Sequence, residues 1–121
     1  MLEIDKTAEL INNIGAYVEN IYIGGGTPTT LSSNDFERIF KRLYNGFELS
    51  KIKEFTVEAG RPDTITPEKL AEAYEAGVTR VSINTQTFND EVLENIGRRH
   101  TSKDFYNAFE IAKNSGIPHI N

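Results

Sequence analysis

The sequence predicts an α/β protein in which about four parallel strands alternate with outer helices. Three observations carry this expectation. Apolar spacing switches repeatedly between the period of a helix and that of a strand, Gly, Thr-Pro and Asn signals fall at the switches, and the connections are short. From about Asp5 to Glu19, Leu10, Ile11, Ile14, Tyr17 and Val18 recur at helical spacing and predict a first helix, with Gly15 as its weak point. Ile21-Tyr22-Ile23 reads as a short strand. After the break Gly24-Gly25-Gly26-Thr27-Pro28-Thr29, Ser33 or Asn34 can cap a helix whose Phe36, Ile39, Phe40, Leu43 and Phe47 share one face.

Glu54 to Ala59 alternates with period two and is rich in strand formers, which predicts a second strand. Thr66-Pro67 opens the next helix, because Thr66 can accept from an orphan amide and Pro67 loses nothing at the first helical position; Gly77 closes it. Val78 to Gln86 is expected as a third strand, with Val81, Ile83 and Thr85 on one side and Ser82, Asn84 and Gln86 on the other. Asn89-Asp90 caps a short helix to Ile96, Ser102 caps a longer one with Phe105, Phe109 and Ala112, and a fourth strand begins at Ile117. This order implies a parallel sheet with right-handed crossovers, either open and doubly wound or part of a (β/α) barrel. Four strands do not close a barrel, which takes about 250 residues. On the barrel reading, residues 1–121 are the central part of a larger domain, and open sheet edges predict self-association.

Composition removes several functions. The 121 residues carry 13 basic and 18 acidic side chains, a net charge of −5, and no basic cluster larger than pairs such as Arg98-Arg99, which argues against nucleic acid as the main partner. No apolar run approaches the ~20 residues of a membrane span, and the opening MLEIDKTAEL is acidic where a secretory signal is basic, so a cytoplasmic protein is expected. There is no cysteine, hence no disulfide, thiolate nucleophile, cysteine zinc site or cysteine-held iron-sulfur cluster in this chain. The two histidines are far apart in sequence, a poor start for a metal site.

In parallel α/β architectures ligands sit beyond the carboxyl ends of the strands. Here the first strand runs into Gly24-Gly25-Gly26-Thr27, the second sets Thr56 and Glu58 opposite Phe55 and Val57, and the third sets Ser82, Asn84 and Gln86 opposite Val81 and Ile83. A strand covered on both faces by helices is usually apolar throughout, so this polar phase predicts a shared lumen. Three glycines bring bare amides to a ligand, or make a flexible turn. The loop lacks the lysine and Ser/Thr of a P-loop and the spacing of a dinucleotide fingerprint. Glu58 faces inward, where an unpaired carboxylate calls for an amine, hydroxyls or an arginine; Asn84 and Gln86 can contact a ligand or cross-link the lumen. Arg98 and Arg99 follow Gly97 after a short helix, where a cation also suits the carbonyl end, Arg61 can reach the site mouth or pair with Asp63, and His100 reads as a loop residue. No hydrolase constellation is present.

Four segments, YIGGGTPTTL (Tyr22 to Leu31), FTVEAGRPDTITPEKL (Phe55 to Leu70), GVTRVSINTQTFND (Gly77 to Asp90) and IGRRHT (Ile96 to Thr101), resemble in order and spacing the radical S-adenosylmethionine (SAM) enzymes of the oxygen-independent coproporphyrinogen III oxidase family, with EAGRPDTIT pointing to its HemZ-type branch. The resemblance implies a segment of a partial (β/α) TIM-like barrel. It also implies that Gly25, Gly26 and Thr27 line the methionine end of SAM and that Glu58, Gln86 and Arg98 contact SAM. The implied reaction is oxidative decarboxylation of two propionates of coproporphyrinogen III to vinyl groups, giving protoporphyrinogen IX in heme biosynthesis, through a 5′-deoxyadenosyl radical.

The departure from the family is the missing Cys-x3-Cys-x2-Cys loop, whose thiolates hold a [4Fe-4S] cluster in relatives. The expectation is therefore an internal segment of a longer enzyme, inactive by itself, with the cluster and the porphyrinogen substrate belonging to the parent. Two other readings compete: a heme chaperone or heme-binding protein on the same barrel, and a cluster-free α/β module that takes a phosphate ligand or another protein.

Overall fold

The computed structural model describes residues 2–121. Helix α1 spans Leu2–Asn13, strand β1 Asn20–Ile23, α2 Ser33–Gly46, β2 Glu54–Glu58, α3 Pro67–Glu75, β3 Arg80–Ser82, α4 Asp90–Asn95, α5 Ser102–Asn114 and β4 His119–Ile120. The four strands form one parallel sheet in the order β1-β2-β3-β4. The α/β architecture expected from the sequence is the one observed.

Register makes the two faces of the sheet chemically distinct. Ile21 lies opposite Phe55, Ile23 and Val81 flank Val57, and Val81 lies opposite Ile120, so one face is apolar. It packs on Phe36, Phe40 and Leu43 of α2, Leu70 and Ala73 of α3, and Ala108 and Ala112 of α5. The rings of Phe36, Phe40 and Phe55 meet edge to face at centroid distances of 4.8 and 5.8 Å. The other phase aligns Tyr22, Thr56, Arg80 and His119 in one row and Glu58 with Ser82 in the next. Asn121 Nδ2 donates to Ser82 Oγ at 3.3 Å and extends the second row across the fourth strand. This is the polar lumen phase that the alternation predicts.

Caps define the helix starts. Ser32, one residue before the expected position, accepts from the Asp35 amide at the head of α2. Thr66 caps α3 with Pro67 at its first position, and Asn89 caps α4. For α5 the cap is Thr101 and not Ser102. Its hydroxyl accepts from the Asp104 amide while the Asp104 carboxylate accepts from the Thr101 amide, a reciprocal pair that Ser102 has no acidic partner to make.

Three elements differ from expectation. The fourth strand, expected from Ile117, begins at His119, because Pro118 has no amide to give to the ladder. The first helix was expected to run to Glu19 and instead stops at Asn13, because Gly15 adopts φ +68° and the Gly15 and Ala16 amides turn back to the Asn12 and Ile11 carbonyls. The anticipated stripe is consequently broken: Ala8 is buried, Ile4 and Ile11 are half-buried, and Leu10, Ile14 and Tyr17 are exposed. The third strand, expected over Val78 to Gln86, keeps its ladder over Arg80–Ser82, with flanking bonds from the Thr79 amide to the Phe55 carbonyl at 2.8 Å and from the Ile83 amide to the Asn121 carbonyl at 2.7 Å. It ends before Gln86, which sits at φ +63°. A left-handed residue cannot continue a pleated ladder.

Candidate functional site

β1 delivers the chain to the glycine loop at the carboxyl end of the sheet. A Cβ on Gly24 would lie 2.5 Å from Tyr22 Cε1 and 3.0 Å from Glu58 Oε2, so a side chain here would have to push the Tyr22 ring aside and crowd the Glu58 carboxylate. Gly25 adopts φ +112°, and a Cβ on Gly26 would meet nothing within 4 Å, which leaves open space above the loop. Among the described residues, the amides of Gly25, Gly26 and Thr27 donate no hydrogen bond. Thr27 closes the loop inward instead: its carbonyl accepts from the Thr30 amide at 3.0 Å and the Thr30 hydroxyl at 2.7 Å, and its own hydroxyl donates to the Gly26 carbonyl at 2.6 Å. The Gly26 and Thr27 carbonyls are satisfied within the loop while three amide donors remain available, a polarity that suits an anionic or carbonyl-bearing ligand.

Glu58 ends β2 beside this loop. It is half-buried, and its Oε1 accepts from Asn84 Nδ2 at 3.3 Å. No ion pair to Glu58 forms among the described residues. A half-buried carboxylate without a cation and with unused lone pairs is matched by an ammonium, a sulfonium or hydroxyl groups. Gly60 leaves room next to the same pair, since a Cβ there would lie 3.6 Å from Asn84 Nδ2. Gly24, Glu58 and Asn84 thus converge as the strand phase indicates.

The remaining expected residues are placed differently. Gln86 is exposed, beyond the strand, in a left-handed conformation that costs a non-glycine residue about 1–2 kcal/mol. Strand alternation therefore does not orient it, and it makes no hydrogen bond to Glu58 or Asn84. Arg98 follows the end of α4, where the Gly97 and Arg98 amides return to the Glu94 and Leu93 carbonyls. Its side chain lines a cleft of about 380 Å³ with Arg61, Gly97, Arg99 and His100. Arg61 pairs through two nitrogens with Asp63, at 2.9 and 3.3 Å, while Arg98 and Arg99 form no ion pair among the described residues. His100 is buried with Nε2 at 3.4 Å from the Thr85 carbonyl, so it ties two loops together. A roomier cleft of about 480 Å³ lies between α2 and α3, on the helical side and away from the strand ends.

Sequence reasoning missed the polar bridge behind the loop. Thr29, fully buried, shares a 2.6 Å hydrogen bond with Thr64, and Lys69 Nζ donates to the Thr29 carbonyl at 2.5 Å. The available signal was the parallel spelling of Thr27-Pro28-Thr29-Thr30 and Arg61-Pro62-Asp63-Thr64, each in the loop that follows a strand.

The residues fit SAM by chemistry. Bare amides suit its carboxylate, Glu58 its cationic and hydroxyl groups, and the arginine cleft offers a second place for an anion. They do not fit an iron-sulfur cluster: the chain has no cysteine, and no three of its described His, Asp or Glu side chains gather to hold a metal ion.

Comparison with known proteins identifies the family and the fold. The model of the Radical SAM superfamily matches residues 1–121. The oxygen-independent coproporphyrinogen-III oxidase-like protein HemZ of Bacillus subtilis is 38% identical over 120 residues, which cover 98% of this chain and 24% of that protein. The heme chaperone HemW of the same organism is 41% identical over 117 residues, 93% of this chain and 31% of the relative. The solved coproporphyrinogen III oxidase HemN from Escherichia coli, described as a radical SAM enzyme, superposes with a TM-score of 0.80 at 25% identity over 99% of this chain and 28% of its own. The chain spans about a quarter to a third of the length of these relatives. Its four parallel strands with outer helices match part of the HemN fold. The chain belongs to the radical SAM superfamily.

Proposed function

We propose that this chain is the SAM-holding central segment of a cytoplasmic oxygen-independent coproporphyrinogen III oxidase, with Gly25, Gly26, Thr27, Glu58, Gln86 and Arg98 as the SAM contacts. The observation that carries the reading is the half-buried Glu58 carboxylate, unpaired with any cation among the described residues, beside a glycine loop with free amides. The loop amides hold the methionine carboxylate end, Glu58 receives donors from the ligand, and Asn84 fixes the carboxylate through Oε1 so that Oε2 faces Gly24. Arg98 supplies at the neighbouring cleft a guanidinium that forms no ion pair among the described residues. Bound SAM would supply the adenosyl carbon that takes a hydrogen atom from a substrate side chain once an electron from outside this chain had cleaved its bond to sulfur and released methionine. The cluster chemistry, and with it the conversion of propionates to vinyl groups, belongs to a polypeptide that carries the cysteines.

The test is titration of the 121-residue chain with SAM at millimolar concentration, followed by amide shifts. Shifts centred on Gly25, Gly26 and Thr27 are expected, and Glu58→Ala is expected to weaken binding tenfold or more, about 1.4 kcal/mol, with helix content unchanged. Equal shifts in the variant, or protection against unfolding by inorganic phosphate and not by SAM, overturn the reading.

A second reading is favoured by the 41% identity to the chaperone HemW: the parent delivers heme and turns over no porphyrinogen. Porphyrin titration of the full-length parent with turnover assayed alongside separates the two. Binding with no decarboxylated product favours the chaperone.

A further inference from the structure

The two loops that follow β1 and β2 are built alike. In each, an extended residue precedes a buried proline, a short 3-10 turn follows, and the threonine three residues on returns both its amide and its hydroxyl to the carbonyl of the first residue: Thr30 to Thr27, and Thr64 to Arg61. Extended backbone is what a following proline imposes, so sequence sets both turns. The turns are then joined side to side. The Thr64 hydroxyl has one proton, which goes to the Arg61 carbonyl at 2.7 Å, so at the 2.6 Å contact between the two hydroxyls Thr29 is the donor.

Lys69, in the first turn of α3, spans the pair from behind. Its ammonium donates to the Thr29 carbonyl at 2.5 Å and to the Thr64 carbonyl at 3.4 Å, and it forms no ion pair among the described residues. A half-buried ammonium spent on carbonyls of two different loops, 40 and 5 residues away in sequence, is a fixed point between them. One loop carries the free amides of Gly25 to Thr27; the other carries Arg61 into the cleft shared with Arg98.

We propose that Lys69 is a positioning residue: its ammonium, through Thr29 and Thr64, locks the glycine loop to the Arg61 loop and so sets the spacing between the amide donors and the arginine cleft. The lock follows from geometry alone, and its effect on a ligand rests on the SAM reading above.

The experiment is backbone 15N relaxation on the full chain, with and without SAM, for Lys69→Met, Lys69→Arg and Thr29→Val. In the unaltered chain the order parameters of residues 27–31 and 61–65 should match those of α2, near ~0.85. Lys69→Met should drop both loops below ~0.6 while α2 and α5 keep their values, and should weaken SAM by about tenfold, the scale of one charge-assisted hydrogen bond. Lys69→Arg, which keeps the cation, should restore loop order. Thr29→Val removes the hydroxyl at equal volume and should loosen the same two loops even if Lys69→Met fails to fold. Unchanged order in both loops in a folded Lys69→Met or in Thr29→Val, or a uniform loss of order across α2 and α5 in Thr29→Val, overturns the proposal. Loosened loops in a chain that does not bind SAM leave the lock standing and overturn the SAM reading.

Discussion

Phe55 shows how one residue serves both faces of this protein. Its ring is buried and meets Phe40 at 5.8 Å, while its backbone is held in the sheet by the Thr79 hydroxyl, which accepts from the Phe55 amide at 2.9 Å. Three residues on, the same strand presents Glu58 to the glycine loop. Phe55→Ala removes a ring from a packed aromatic trio, and large-to-small changes of this kind cost about 3–5 kcal/mol. Against a total of about 5–15 kcal/mol for a domain, denaturant unfolding should shift by a large fraction of the whole transition. A loss below about 1 kcal/mol would mean that the trio is not packed as described. At this scale Glu58 was legible, because period-two alternation fixes which face a strand residue takes. Gln86 was not, because its left-handed backbone breaks the alternation that would have placed it. Nor was the Lys69 bridge, whose partners Thr29 and Thr64 come together only through the fold.

Elements were legible where local chemistry and tertiary packing agree. Helix α3 has its Thr66-Pro67 start and Gly77 stop in the sequence, and α2 has an aromatic face that meets the sheet. Helix α1 was misjudged because Leu10, Ile14 and Tyr17 recur at helical spacing without a core to face, and a glycine stop outweighs a stripe that is mostly exposed. The same caps set the response to acid. Asp104 is held below the usual carboxylate range by the Thr101 amide and then its hydroxyl, and Glu54 by the Thr56 hydroxyl and then the Arg80 guanidinium. Glu48 is lowered by Ser50, and Glu68 by its own amide and then Thr66. Each folded-state value lies below the unfolded one, so the unfolded chain takes up protons first as pH falls. The stabilisation is complete above the ordinary carboxylate values of about 4 and is lost as pH drops through the lowered ones. Melting temperature should therefore be flat near neutrality and fall below about pH 5. Asp104→Asn should flatten that fall; an unchanged acid slope would exclude the Thr101 pair as a contributor.

For the whole molecule, the sheet is the feature that matters most. β1 and β4 each pair on one side only, so this chain presents two parallel strand edges. On β1 Tyr22 is 63% exposed, and in the segment that leads to it Ile14 is 68% and Tyr17 50% exposed. Unpaired edges with apolar side chains beside them invite pairing with another chain, and the usual guards, a lysine or proline on the strand, are missing from Asn20–Ile23. The same architecture that aligns Glu58 and Ser82 across neighbouring strands leaves its outer strands open. Sedimentation velocity should show a weight-average mass of 13.6 kDa at low concentration that rises with loading and responds little to salt, because backbone pairing and apolar contact are weakly screened. Tyr22→Lys, which places a charge on the edge, should hold the mass at the monomer value. A monomer at every concentration in the unaltered chain would show that its edges are protected in solution, and edge pairing would then fall as a route to assembly.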